Sequence, residues 1–198
     1  QAISSKIFVG KNNCIINNST KKMIRLKINK EKNNFKIGIN NYKKNVISIC
    51  RLVDQKNIFE IFKIARNLQN YNFIVLGDGY LFDKAKNFLA DNNIKNVYLL
   101  GKKLDVFKYL YESDLFLSTS LYEGHPISIL EAMSIGLPIV ASKVIGNIDT
   151  IRDDFSGSYY QLGNINEATY YIECIMKNID LKLKISMNSF LSHRELFT

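Results

Sequence analysis

The sequence predicts a doubly wound α/β fold, a mainly parallel sheet of about six strands with helices on both faces. Three observations carry this. From residue 46 onward, short apolar, β-branched runs alternate with stretches of helical periodicity, the pattern of parallel βα units. The strand runs are apolar throughout rather than alternating, as strands covered on both faces must be. Hydrophobic residues make up 46% and charged residues 23%, enough apolar side chain for a packed core and too much for wholesale disorder.

The expected strands are Val46–Cys50, Phe73–Leu76, Val97–Leu100, Leu115–Ser118 and Pro138–Ala141, with a further short one at Ser158–Leu162. The expected helices are Asn57–Leu68, Leu81–Ala90, Asp105–Glu112, Pro126–Ile135 and Asn166–Lys177. In the first helix Ile58, Ile61, Phe62 and Ala65 recur at i, i+3, i+4 and i+7, which makes one buried face. Asp105 suits an N-cap. The expected division is a basic arm or linker over residues 1–45, one domain over 46–180, and a C-terminal helix or tail over 181–198. The arm shows strand-like pieces (Ile7–Val9, Ile15–Asn17) but no complete βα unit.

The net charge of +9 suggests nucleic acid until its distribution is read. Residues 1–45 hold ten Lys, one Arg and one acid, Glu31, for +10, and the body sums to −1. The arm therefore reads first as a solvated linker or peripheral strands, then as a segment touching anionic lipid headgroups, and last as a nucleic-acid contact. Aromatics for base stacking are sparse there, and no nucleic-acid partner is expected. No apolar run approaches the roughly 18 residues of a membrane span. Cys14, Cys50 and Cys174 form no C-x-x-C pair and no zinc pattern with the two histidines, so a reducing cytoplasm is expected and no metal site. Cys50 reads as a small core residue and His193 as a surface one. The chain opens with Gln1, which reads as a boundary inside a longer protein.

In doubly wound sheets ligands bind beyond the carboxyl ends of the strands. After the first strand come Arg51 and Lys56, five residues apart. They can close on one polyanion, or stand as two solvent-facing cations. After the second strand come Gly77-Asp78-Gly79, but residue 82 is Phe, so no dinucleotide fingerprint is present, and no Walker A run exists. Gly77 and Gly79 make a tight turn that lets a ligand or a neighbouring loop approach the backbone. The third strand ends in Gly101-Lys102-Lys103, which could wall a flat ring or simply turn the chain.

The richest segment runs from Ser118 to Met133 and holds Glu123-Gly124-His125-Pro126-Ile127-Ser128-Ile129-Leu130-Glu131. Pro126 suits a first helical turn. The N–H groups from Ile127 to Ile129 then favour an anion. The helix is apolar nearly all round and is expected to be buried, with Ser128 and Glu131 breaking the pattern on one face. A buried Glu131 needs donors, from sugar hydroxyls or from a core cation. Glu123 sits on the loop before the helix, as a ligand-facing acid or an ordinary exposed one. His125 reads as a packed loop histidine rather than a catalytic one. Two carboxylates flanking a phosphate-favouring helix terminus suggest a sugar phosphate ester.

The run from Glu123 to Ser142, with Glu123 and Glu131 eight residues apart, resembles the group 1 retaining nucleotide-sugar glycosyltransferases. It is similar to the C-terminal, donor-binding, Rossmann-like half of their two-domain GT-B fold. Arg51-Leu52-x3-Lys56-Asn57, Gly77-Asp78-Gly79, Gly101 and Ser113-Asp114-Leu115-Phe116 extend the resemblance over about residues 47–157. It implies that Arg51 and Lys56 bind the donor diphosphate and that Glu131 holds the ribose. Glu123 would contact the transferred sugar, with Arg51, Lys56 and Glu123 as the catalytic set. The backbone from Gly124 through His125, Pro126, Ile127, Ser128 and Ile129 to Leu130 would line sugar and phosphate. Gly77, Gly79, Lys102 and Lys103 would complete the donor site.

The resemblance also implies no metal and no cofactor, with a nucleotide sugar as substrate, UDP-sugar favoured. The acceptor, a glycan or lipid-linked glycan, would bind an N-terminal half that this chain does not contain, so the fragment alone would transfer little. Such an enzyme would serve polysaccharide or glycoconjugate assembly in the cytoplasm, with the arm as a peripheral contact at the inner membrane face. The run Val144-Ile145-Gly146 departs from the family's Val-Gly-Gly. The alternatives are half of a nucleotide-sugar epimerase, or a non-catalytic nucleotide-binding α/β module.

Overall fold

The computed structural model describes residue 39 and residues 42–124 and 126–196. Ile7–Val9, Ile15–Asn17, Cys14 and His125 lie outside the described residues. Among the described residues six strands form one sheet: β1 (Lys44–Ile49), β2 (Tyr71–Leu76), β3 (Val97–Leu99), β4 (Leu115–Ser118), β5 (Ile139–Ser142) and β6 (Gly157–Tyr160). All pairings are parallel, in the order β3-β2-β1-β4-β5-β6. The helices are α1 (Ile58–Asn67), α2 (Phe82–Asp91), α3 (Val106–Tyr111), α4 (Ile127–Ser134), α5 (Asn147–Thr150), α6 (Ile165–Lys177) and α7 (Ile179–Leu196).

The expected fold class is therefore observed, and every expected strand and helix is present within a few residues. The sheet buries both faces because its strands alternate between two cores. Val46, Phe73, Val75, Leu115 and Leu117 face α1 and α6, while Ile47, Ile74, Leu76 and Phe116 face α4. Ile58, Ile61, Phe62 and Ala65 form the buried face of α1 as their spacing requires. Asp105 caps α3, accepting from the Lys108 N–H at 3.3 Å.

Four expectations are corrected. Lys44 and Asn45 belong to β1 rather than to the arm: Asn45 pairs with Asn72, and the two side chains bond at 2.9 Å, so polar residues extend the strands by satisfying each other. A short helix, α5, follows β5, where the expected elements include none. Ile127 is 63% exposed, so α4 is not buried all round. His193 is not a surface residue; it is fully buried within α7.

Burial lowers the His193 pKa to about 4. The unfolded chain then binds the extra proton between about pH 6.5 and about pH 4, so stability is complete above that window and falls as pH drops through it. The loss should approach about 3 kcal/mol, and His193→Met should remove this slope from a series of thermal midpoints. A slope unchanged in the variant would refute it.

α7 is tied to the amino edge of the sheet by Lys182, whose Nζ lies 2.7 Å from Asp114 Oδ1 with both side chains mostly buried. Asp114 Oδ2 also accepts from the Asn45 N–H at 2.9 Å. Asp114→Ala strands a buried ammonium and an N–H, and should cost about 3 kcal/mol in urea unfolding. A midpoint within error of the parent would show that the pair contributes nothing.

Candidate functional site

The strand order reverses between β1 and β4, so the loops after these strands lead helices to opposite faces and part to leave a crevice. Two hollows open on this carboxyl edge, a small one between the β1 and β4 loops and a larger one beside it, over the ends of β1, β2 and β3. A cleft of about 560 Å³ is lined by Arg51, Gly77, Asp78, Gly79, Lys102, Lys103 and Val106, together with Ile49, Cys50 and Leu76. This is a volume typical of small-molecule sites. None of its three cations is ion-paired among the described residues. Next to it, a hollow of about 10 Å³ is lined by Lys56, Ser120, Glu123 and Ser128 among others. The two share Ile49 and Cys50, and burial pushes the Cys50 thiol up to about 12, which keeps it protonated. Arg51 and Lys56 thus line adjoining hollows rather than one, and Glu131 lines neither.

Lys56 does not stand free. Its Nζ lies 2.5 Å from Glu123 Oε1, with side-chain exposures of 16% and 8%. The Ser120 hydroxyl donates to the same oxygen at 2.6 Å. The two loops are also joined through backbone. Thr119 Oγ1 donates to the Lys56 carbonyl at 2.9 Å, Gln55 Nε2 donates to the Tyr122 carbonyl at 3.0 Å, and the Leu121 N–H to the Gln55 carbonyl at 2.8 Å. Glu123 is therefore not an ordinary exposed loop acid, and Lys56 is not a solvent-facing cation. Arg51 is exposed.

The glycines explain the close approach of these loops. Gly77, at φ +138, would place a Cβ 1.7 Å from the Cys50 carbonyl oxygen, so its turn serves a neighbouring loop. Gly146, at φ +85, would place one 2.3 Å from the Glu123 carbonyl oxygen. Thus the departure at Val144-Ile145-Gly146 keeps the one glycine that packs on Glu123. Ser120 and Gly146 were legible as residue types beside the motif, but nothing in the sequence showed that they meet Glu123.

On α4 the N–H groups of Ile129 and Leu130 are taken by the Pro126 carbonyl, at 2.9 and 3.2 Å. Pro126 is the cap residue, and the expected anion-facing set shrinks to Ile127 and Ser128. Gly124 is exposed, with open space where a side chain would be. Ser128 joins the small hollow. Glu131, one turn further along, is half-buried, and burial raises its pKa. Its carboxylate meets no cation among the described residues, so the core salt bridge is not found. Among the described residues no three His, Cys, Asp or Glu side chains come together as a metal would require, and no helix is long and apolar enough to cross a membrane.

The fold defines the class: a Rossmann-like α/β domain whose polar groups gather at the carboxyl edge of its switch point. The profile of the family described as "Glycosyl transferases group 1" matches residues 29–190, and the chain belongs to that family. It is 34% identical over 143 residues to the Escherichia coli UDP-Gal:alpha-D-GlcNAc-diphosphoundecaprenol alpha-1,3-galactosyltransferase, covering 68% of this chain and 36% of the relative. It is 28% identical over 145 residues to the Campylobacter jejuni N,N'-diacetylbacillosaminyl-diphospho-undecaprenol alpha-1,3-N-acetylgalactosaminyltransferase, covering 73% of this chain and 38% of the relative. A crystal structure of S. aureus TarM with Fondaparinux, alpha-GlcNAc-glycerol and UDP superposes with a TM-score of 0.75 and 28% identity, over 81% of this chain and 34% of that one. The chain spans roughly a quarter to two fifths of the length of the curated relatives it matches.

Proposed function

We propose that this chain is the donor-binding half of a retaining GT-B glycosyltransferase. It binds a nucleotide sugar, with a UDP-sugar as the favoured donor, and the complete enzyme transfers the sugar to a glycan or lipid-linked glycan in glycoconjugate assembly. The observation that carries this reading is the Lys56–Glu123 pair, which bridges the sheet's switch point beside a cation-lined cleft over β1, β2 and β3. The names of the relatives, two of which act on diphosphoundecaprenol-linked sugars, support the donor and acceptor classes.

The roles follow from charge. Arg51, with Lys102 and Lys103 across the cleft, supplies fixed positive charge for a nucleoside diphosphate. An arriving diphosphate draws the Lys56 ammonium and leaves Glu123 and Ser120 to face the sugar. Glu131, raised in pKa and with no cation beside it among the described residues, accepts from the ribose hydroxyls. When the glycosyl–phosphate bond breaks, the diphosphate leaves with the electron pair. Cations already in place stabilise that charge without reorganisation. The acceptor hydroxyl forms the new bond and passes its proton to the departing diphosphate oxygen.

Calorimetry with UDP- and GDP-sugars tests the reading. A UDP-sugar should release heat, and Lys56→Ala and Glu131→Ala should each weaken its binding. No heat with any nucleotide, or binding indifferent to both substitutions, would refute it.

A further inference from the structure

We infer that Glu60, held by Tyr160, is a positioning residue that aims Lys56 through Asn57. This rests on the reading of Lys56 as a diphosphate ligand.

Glu60 lies in the first turn of α1 and is only 6% exposed. Its neighbours Ile58, Ile61, Phe62 and Ile64 are buried apolar residues, so an apolar side chain would complete that face. A buried carboxylate is costly unless donors surround it. Here the donors come from far apart in the chain. The Tyr160 hydroxyl, at the end of edge strand β6, donates to Oε1 at 2.8 Å. The Gly163 N–H reaches the same oxygen at 3.4 Å. The Asn57 side-chain amide donates to Oε2 at 2.8 Å. Burial and the adjacent carboxylate hold the Tyr160 phenol well above its usual value, so it remains a donor.

Asn57 is the link to the site. It follows Lys56 directly and sits at φ 48, ψ 45, a left-handed conformation that an L residue keeps only where its surroundings hold it. That turn ends the loop after β1 and starts α1. It presents the Lys56 carbonyl to Thr119 Oγ1 at 2.9 Å and sends the ammonium across to Glu123 at 2.5 Å. An acid needed only for the helix dipole would serve equally well exposed to solvent. This one is buried, and it joins the edge strand to the residue beside Lys56.

A double-mutant cycle on UDP affinity, with thermal midpoints in parallel, tests this. Glu60→Gln and Tyr160→Phe are isosteric, and each should weaken UDP binding about tenfold. Neither should have a further effect in a Lys56→Ala background. Effects that multiply in full on top of Lys56→Ala would show that the network supports the fold alone, and would overturn the inference. So would folded variants with parental affinity. If Lys56→Ala itself leaves UDP binding intact, the diphosphate reading fails and the inference falls with it. The Tyr160→Phe cycle decides the matter if Glu60→Gln does not fold.

Discussion

Lys56→Ala should lower sugar transfer by the complete enzyme by about 10²–10³-fold, the usual loss when one preorganised charge is removed from a developing anion. Two effects are combined in that substitution. In the proposed role the ammonium would no longer meet the departing diphosphate, and Glu123, its side chain only 8% exposed, keeps Ser120 as its one side-chain partner among the described residues. An uncompensated carboxylate of this kind destabilises the protein by itself. The double variant Lys56→Met/Glu123→Gln separates the two effects. Its thermal midpoint should return toward the parent's, because no buried charge remains, while turnover stays low. Turnover within threefold of the parent in Lys56→Ala would sink the proposed role.

Gly146→Ala should cost about 10²-fold in transfer, with a lower thermal midpoint, although residue 146 carries no chemistry. Its φ of +85 disfavours any side chain, and the new Cβ would lie 2.3 Å from the Glu123 carbonyl oxygen, 2.7 Å from the carbonyl carbon and 2.8 Å from the Glu123 Cβ. These are backbone atoms or directly attached to backbone, so no rotamer change relieves the clash. Glu123 must move, and a displacement near 1 Å at a reacting centre is enough for a loss of this size. Gly101→Ala is the control: its φ is +69, but nothing lies within 4 Å. It should show the conformational cost alone, with turnover close to the parent's. Equal activity in Gly146→Ala and Gly101→Ala would rule out the steric coupling.

The elements were legible because apolar periodicity is a local property. Leu115–Ser118 was read to the residue, and the buried face of α1 follows from spacing alone. Misplaced ends arose where polar residues join the sheet by pairing with distant ones, as Asn45 does with Asn72. His193 differs from its sequence expectation for another non-local reason. A polar residue near a chain end looks solvent-facing, and only the docking of α7 encloses it. The candidate site was legible as residue types at spacings that attract phosphate, which is why Arg51, Lys56, Glu123 and Glu131 could be named.

A parallel α/β sheet, a basic run before residue 46 with a near-neutral remainder, and charged loops at the carboxyl edge can all be read from residue order. These depend on periodicity and composition, which act over a few residues. Folding is what brings Lys56 to Glu123 across 67 positions, presses Gly146 on Glu123, and carries Tyr160 to Glu60 over 100 positions. Each of these contacts exists because the strand order reverses between β1 and β4 and the helices fold back over both faces of the sheet. That arrangement is set by burying all the apolar runs together.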